Sequence, residues 1–232
     1  MQAPSERQPI DAVLLDMDGT ILNSIRSAER IWSRWADRHG LNVDAFLPTI
    51  HGVQSIETIR RLNLPGIDPE TEAAAITQAE IEDVEGIEAI AGADGFLAAL
   101  PAAKWGIVTS APRALALRRI EAAGLPVPPL LIAAEDVANS KPAPDCFQLA
   151  ASQLGTTADR CLVVEDSVAG IASAESAGAA VLVVTATHHT PMDLRHAAIL
   201  DYRDLMLERA VDGSLSIHHA RVSFFLQAAN GR

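Results

Sequence analysis

Lysine is almost missing from this chain, since its 232 residues include only Lys104 and Lys141. Apart from histidine, every other basic residue is an arginine. Because there are only two lysines, the role of each can be tested by one substitution. Cysteine is equally scarce, with only Cys146 and Cys161. Two cysteines make no disulfide framework, and Cys161 opens an apolar run, which suits a small core residue. The cysteine content therefore fits a reducing compartment.

Long apolar runs are also missing. No stretch approaches the roughly 18 residues that a membrane span requires, and the N-terminal residues lack a basic start followed by an apolar block. Acidic residues outnumber basic ones by 30 to 18, and the formal charge of -12 disfavours nucleic acid or an anionic membrane as a partner. We expect a soluble, cytoplasmic monomer or weak homodimer that holds any anionic substrate by local contacts.

Apolar residues make up 49% of the chain, which is enough for a large core. Short, continuous apolar runs predict strands buried on both faces, as in a parallel sheet. These runs are AVLL at 12–15, WGIV at 105–108, LLIA at 130–133, CLVV at 161–164 and VLVV at 181–184. Helical segments that end in glycine alternate with the later runs. The alternation predicts an α/β fold with a parallel sheet.

The interval 21–92 breaks this alternation. Its first part is amphipathic and places Trp32 and Trp35 on one helical face, and two more helical stretches follow, around VQSIETIRRL and DPETEAAAITQAEIEDVEG. We therefore predict an all-helical cap domain at 21–92, inserted after the first strand of an α/β core domain that comprises 1–20 and 93–232.

Polar side chains follow four of the predicted strands. They are Asp16 and Asp18, Thr109 and Ser110, Lys141, and Glu165 and Asp166. Ligands of open α/β sheets bind beyond the carboxyl ends of the strands, so these segments are expected to converge on one crevice. Carboxylates this dense need a cation, and an all-oxygen set selects a hard one such as Mg²⁺. The set suits phosphoryl transfer through a carboxylate nucleophile.

Four segments resemble the four motifs of the haloacid dehalogenase superfamily of phosphohydrolases. In chain order they are DMDGT at 16–20, VTS at 108–110, SKPAPD at 140–145 and VVEDS at 163–167. The resemblance covers nearly the whole chain and thins after about Thr187. It implies a doubly wound, Rossmann-like core with a helical, C1-type cap, and a phosphoric monoester hydrolase that uses Mg²⁺.

The resemblance also implies a role for each motif residue. Asp16 is expected to be the nucleophile that forms an aspartyl phosphate, and Asp18 the general acid that then serves as base. Thr109 is expected to bind the phosphoryl oxygens, and Lys141 to hold the phosphate and Asp16 together.

The implied Mg²⁺ ligands come from the first and fourth motifs. They are Asp16, the main-chain carbonyl of Asp18, and Asp166. Glu165 is expected to support the metal either directly or through water.

Substrate contacts are predicted beside the motifs and in the cap. Thr20 and Ser110 adjoin the phosphate-binding residues, and His51, Gly52 and Arg60 are the candidates in the cap segment IHGVQSIETIRR. The alternative for the last three is a helix-capping loop followed by a solvated arginine pair.

Among the superfamily's activities, we favour hydrolysis of a small phosphorylated polyol or sugar. The segments HGVQSIETI and LPAAKWGIVTSAPRALA resemble glycerol-3-phosphate and small sugar phosphate phosphatases. Dehalogenases lack the second aspartate, here Asp18, and phosphonoacetaldehyde hydrolases use a cap lysine that this chain lacks.

Two alternatives stay open. Sugar phosphomutases carry valine in place of Thr20 and a cap histidine in place of Ala28, so a mutase is the less favoured activity. A non-catalytic regulatory protein on a phosphatase scaffold is the alternative from another class, and the intact acidic and lysine set argues against it.

Overall fold

The computed structural model describes residues 10–188 and 195–219. Its strands are β1 (Ala12–Leu15), β2 (Leu22–Asn23), β3 (Glu88–Ala89), β4 (Trp105–Val108), β5 (Leu131–Ile132), β6 (Cys161–Glu165), β7 (Ala180–Val184), β8 (Ala197–Ile199), β9 (Leu205–Arg209) and β10 (Leu215–His219). Its α-helices are α1 (Ile25–Arg38), α2 (Val43–Phe46), α3 (Ser55–Leu62), α4 (Pro69–Glu82), α5 (Ala93–Ala99), α6 (Arg113–Ala122), α7 (Asp145–Gln153) and α8 (Val168–Ala177).

The main sheet has the strand order β5-β4-β1-β6-β7-β8, and all of its pairings are parallel. All five apolar runs contribute a strand to it, which confirms the α/β class and the parallel sheet. β1 lies between β4 and β6, so the carboxyl ends of these three strands lie side by side at the same end of the sheet. The segments that carry the first, second and fourth motifs therefore start next to one another.

Helices cover the main sheet on both faces. Along β1, Val13 and Leu15 pack in a hydrophobic cluster with α5 and α6, whereas Ala12 and Leu14 pack in a second cluster with α7 and α8. Successive side chains of a strand point to opposite faces, so a strand with helices on either side is apolar at every position. This is the doubly wound arrangement.

Helices α1 to α4 lie between β2 and β3, and we call them the helical insert. They have a hydrophobic cluster of their own, in which the rings of Trp32 and Trp35 pack against Phe46 with centroids 5.6 and 5.8 Å away. β2 and β3 pair antiparallel and connect the insert to the sheet. The boundaries of a separate cap domain at 21 and 92 stay a prediction.

The C-terminal part adds short strands. The sequence pattern AAILDY contributes β8 at the edge of the main sheet, and β9 and β10 form an antiparallel pair. Among the helices described, none has the length and apolar character that crossing a membrane demands.

Candidate active site

Asp16 and Lys141 form the centre of the candidate site. Asp16 directly follows β1, and its Oδ1 accepts a hydrogen bond of 2.6 Å from Nζ of Lys141. The same ammonium donates to Oε1 of Glu165 at 2.8 Å and to the main-chain oxygen of Val108 at 3.0 Å. Both members of the central pair are buried. The three protons of the ammonium are thus committed to two carboxylates and one strand-end carbonyl.

The charge at this centre is unbalanced. Burial and the nearby carboxylate of Glu165 raise the pKa of Asp16 to about 8, although Lys141 opposes the shift. Burial and Glu165 likewise raise the pKa of Asp166 well above its usual range. For Lys141, burial alone lowers the pKa, but the carboxylates of Asp16 and Glu165 outweigh it and raise the value. Three carboxylates therefore lie near a single ammonium. When all three are ionised, their negative charge exceeds the positive charge beside them.

A divalent cation fits this excess of carboxylate. Asp16, Glu165 and Asp166 each offer an oxygen within 4.8 Å of the others, and hard cations such as Mg²⁺ prefer oxygen ligands. Glu165 is already engaged, because Oε1 binds Lys141 and Oε2 accepts from the backbone N–H groups of Asp166 and Ser167. Its contacts suit the indirect, supporting role more than direct ligation.

Two glycines make room for these carboxylates. Gly19 has φ +87°, and a Cβ there would lie 2.0 Å from Oδ2 of Asp166. A Cβ on Gly170, in the first turn of α8, would lie 1.6 Å from Oε1 of Glu165. Both contacts are far shorter than atoms tolerate, so the close approach of backbone and carboxylate depends on glycine.

Asp18 faces a second cation. Its Oδ1 accepts from Oγ of Ser24 at 2.5 Å, and its Oδ2 accepts from Nη1 of Arg119 at 2.9 Å. Arg119, on α6, is buried and also lies 3.2 Å from Oε1 of Glu80, on helix α4 of the insert. Neither Arg119 nor Glu80 was predicted from the sequence.

A signal for both residues exists in the sequence. Arg119 falls on the apolar stripe of α6, three residues after the buried Ala116 and four after Leu115. Glu80 falls on the stripe of α4, four residues after the buried Ile76. A charged residue on the buried stripe of an amphipathic helix indicates a paired, functional or structural charge.

A cavity lies over this edge of the sheet, between the core and the insert. Its lining includes Asp16, Asp18, Trp32, Ile50, His51, Gly52, Glu80, Thr109, Ser110, Arg119 and Asp166. Oγ1 of Thr109 accepts from the backbone N–H of Ala111 at 3.0 Å, and Oγ of Ser110 donates to the oxygen of Gly52 at 3.5 Å. The structure therefore brings the core motif residues together with two of the three predicted cap residues.

Two residues predicted to contact the substrate, Thr20 and Arg60, are not among those that line the cavity. Thr20 is fully buried, and its hydroxyl donates to Oδ1 of Asp166 at 3.2 Å, so it supports a carboxylate. Arg60 lies on the surface of α3, where it pairs with Glu57 and Glu70 at 3.2 and 2.6 Å. Both of its partners are exposed carboxylates of the insert.

Known proteins resemble the chain in sequence. The model of the haloacid dehalogenase-like hydrolase family matches residues 10–178. Hexitol phosphatase A of Escherichia coli (strain K12) is 40% identical over 182 residues, which are 77% of this chain and 84% of that protein. Glycerol-1-phosphate phosphohydrolase 2 of Saccharomyces cerevisiae is 28% identical over 194 residues, 77% of this chain and 76% of the relative.

Solved structures resemble it in fold. A hydrolase from Pseudomonas syringae superposes with a TM-score of 0.69 at 24% identity, covering 78% of this chain and 87% of that one. A β-phosphoglucomutase from Clostridium difficile superposes with a TM-score of 0.71 at 19% identity, covering 83% and 91%. At these identities the likeness concerns the fold alone.

Proposed function

Since the chain belongs to the haloacid dehalogenase-like hydrolases, we propose that it hydrolyses a small polyol or sugar phosphate with Mg²⁺, through a phosphorylated Asp16. Its class, a phosphoric monoester hydrolase of the sugar phosphate phosphatase type, follows from the family and from the similarity to a hexitol phosphatase. The observation that carries the mechanism is the buried contact of 2.6 Å between Lys141 and Asp16, the second of which lines the cavity. A hexitol phosphate is the first substrate to test.

The first chemical step uses Asp16 and Asp18. Lys141 occupies Oδ1 of Asp16, which leaves Oδ2 to attack the phosphorus. As the new bond forms, the bond from phosphorus to the ester oxygen breaks, and Asp18 gives a proton to the departing alkoxide. Thr109 and the backbone N–H groups after β4 would bind the phosphoryl oxygens.

The second step reverses the proton transfer. Asp18, now ionised, takes a proton from a water that attacks the phosphorus, and the bond to Asp16 breaks to regenerate the carboxylate. Asp16, Asp166 and the main-chain carbonyl of Asp18 would hold the Mg²⁺, which supplies positive charge next to the phosphoryl oxygens.

The insert closes the cavity above the reacting groups. His51 and Gly52 reach it from the loop before α3, while Trp32 and Ile50 add apolar surface. This arrangement suits a ligand with one phosphate and a short hydroxylated chain, since the phosphate faces the motifs and the alcohol faces the insert.

The function is tested by measuring phosphate release from a panel of esters. We expect release from one or more hexitol, pentose or glycerol phosphates that disappears with chelator and returns with added Mg²⁺. Activity confined to nucleotides or phosphoproteins would contradict the substrate class, and full activity in chelator would contradict the metal requirement.

Stability should depend on pH through Asp16. Its pKa is about 8 when folded and 3.8 ordinarily, so between these values the folded chain retains a proton that the unfolded chain has lost. The free energy of unfolding without metal is therefore expected to fall as pH rises across this window. Mg²⁺ needs the ionised carboxylate, so its stabilising effect should grow with pH.

Thermal unfolding at about pH 6 and about pH 8, with chelator and with Mg²⁺, measures both effects. The rise in melting temperature on adding Mg²⁺ should be larger at the higher pH. Asp16→Asn, which cannot ionise, should weaken the dependence. A rise that is the same at both pH values would contradict the assignment.

A further inference from the structure

Three charged side chains, of which Arg119 and Glu80 are buried and Asp18 is partly exposed, link the core to the helical insert. Arg119 on α6 places Nη1 2.9 Å from Oδ2 of Asp18 and Nη2 3.2 Å from Oε1 of Glu80 on α4. The side chains of Arg119 and Glu80 are only 6% and 5% exposed. Each terminal nitrogen of the guanidinium thus serves one carboxylate, one from the core and one from the insert.

Glu80 is buried within the structure, and this burial raises the pKa of its carboxyl against the opposing effect of Arg119. Helices α4 and α6 are packed against each other. The chain of contacts therefore runs from the insert, through Glu80 and Arg119, to Asp18.

Burying the charges of Arg119 and Glu80 has a desolvation cost that apolar side chains in the same space would not have. A buried ion pair recovers its desolvation cost only with good geometry, and apolar replacements are often neutral or stabilising. The arrangement is therefore better explained by what it does to Asp18. Among the described contacts, Oδ2 of Asp18 is held by Arg119, while Ser24 holds Oδ1.

We propose that Arg119 is a positioning residue that aims the Asp18 carboxyl at the leaving oxygen, and that Glu80 makes this position depend on the insert being packed on the core. The inference rests on the proposed function, in which Asp18 protonates the departing alkoxide. Arg119 acts through Asp18 and needs no contact with the phosphate.

The leaving group separates this role from a structural one. An alkoxide from a polyol phosphate is strongly basic and needs a proton as it departs, whereas p-nitrophenolate departs without one. The quotient kcat/KM reports the steps up to departure of the alcohol. A misplaced Asp18 should therefore lower kcat/KM for the polyol ester and spare it for p-nitrophenyl phosphate.

The experiment compares Arg119→Met with the wild type on sorbitol 6-phosphate and p-nitrophenyl phosphate. We expect kcat/KM to fall about 100-fold on the first, the lower end of what a general acid supplies, and to stay within about threefold on the second. Retained activity on the aryl ester shows that the variant is folded. Arg118→Met is the matched control and should behave as wild type on both esters. Arg118 is the neighbouring arginine on α6, and within the described part of the chain its ion pair is with Glu121 at the surface.

Glu80→Gln tests the link to the insert and should give a smaller loss with the same selectivity. The double variant Glu80→Gln/Arg119→Met leaves no unpaired buried carboxylate at position 80, so it can replace Arg119→Met if that variant does not fold. Its kcat/KM on the polyol ester should be no lower than that of Arg119→Met. If removing Arg119 lowers kcat/KM equally on both esters, or on neither, its positioning role is overturned. If Glu80→Gln has the same kcat/KM as the wild type, the link to the insert is overturned. If the ester panel identifies another polyol or sugar phosphate as the better substrate, that ester takes the place of sorbitol 6-phosphate, and a wild type that releases phosphate from none of them would instead refute the proposed function.

Discussion

Asp16→Asn is expected to lower kcat for phosphate release by about 10⁴-fold or more, as loss of a nucleophile does in other enzymes. The amide is a poor nucleophile, yet it has the same shape, and its oxygen can still accept the hydrogen bond from Lys141 that the carboxylate accepts at 2.6 Å. The fold should therefore be retained, and the loss should fall on kcat.

Two measurements make this result specific. Acid quenching during turnover should trap phosphate on the wild-type chain and none on Asp16→Asn. Asp44→Asn is the control, because Asp44 is exposed on α2 and remote from the motif carboxylates in sequence. Phosphate release that survives in Asp16→Asn would mean that another group attacks the phosphorus.

Lys141→Met is expected to damage both activity and stability. The substitution leaves Asp16 and Glu165 buried without the ammonium that contacts them at 2.6 and 2.8 Å. Removing one partner of a buried ion pair costs about 3–5 kcal/mol of unfolding free energy. Catalysis should fall as well, because Asp16 then loses the contact that orients its free oxygen.

The other lysine of the chain is the natural comparison. Nζ of Lys104 donates to the main-chain oxygen of Asp11 at 3.2 Å, so Lys104→Met removes one hydrogen bond from an ammonium to a neutral carbonyl and should cost only about 1.5 kcal/mol. Urea unfolding in chelator measures both variants. Adding Mg²⁺ should recover part of the stability of Lys141→Met but not its activity. Equal destabilisation by the two substitutions would contradict the central role of Lys141.

Strand positions were predictable because each strand leaves a local signal. A strand covered on both faces is apolar at consecutive positions, and all five predicted runs lie in the main sheet. The weakest agreement is at 130–133, where β5 retains only Leu131 and Ile132. β5 pairs with β4 alone at the sheet edge, so fewer of its residues take part in a ladder.

The motif carboxylates were predictable for a related reason. Each follows a strand, and parallel strands place their carboxyl ends at one edge of the sheet. In the structure Lys141 contacts Asp16 at 2.6 Å, and Asp166 offers an oxygen within 4.8 Å of oxygens from Asp16 and Glu165. Their catalytic roles stay predictions that the variants above test.

The sequence by itself determined the α/β class, the parallel sheet and the residues that surround Asp16, because these depend on local periodicity and on strand ends. Only the tertiary structure decided which residues of the helices reach the cavity. Arg60 lies at the surface. Glu80 and Arg119 are 39 residues apart in the sequence, yet they form an ion pair between helices α4 and α6. That outcome depends on how the insert packs on the core, which a pattern within one helix does not specify.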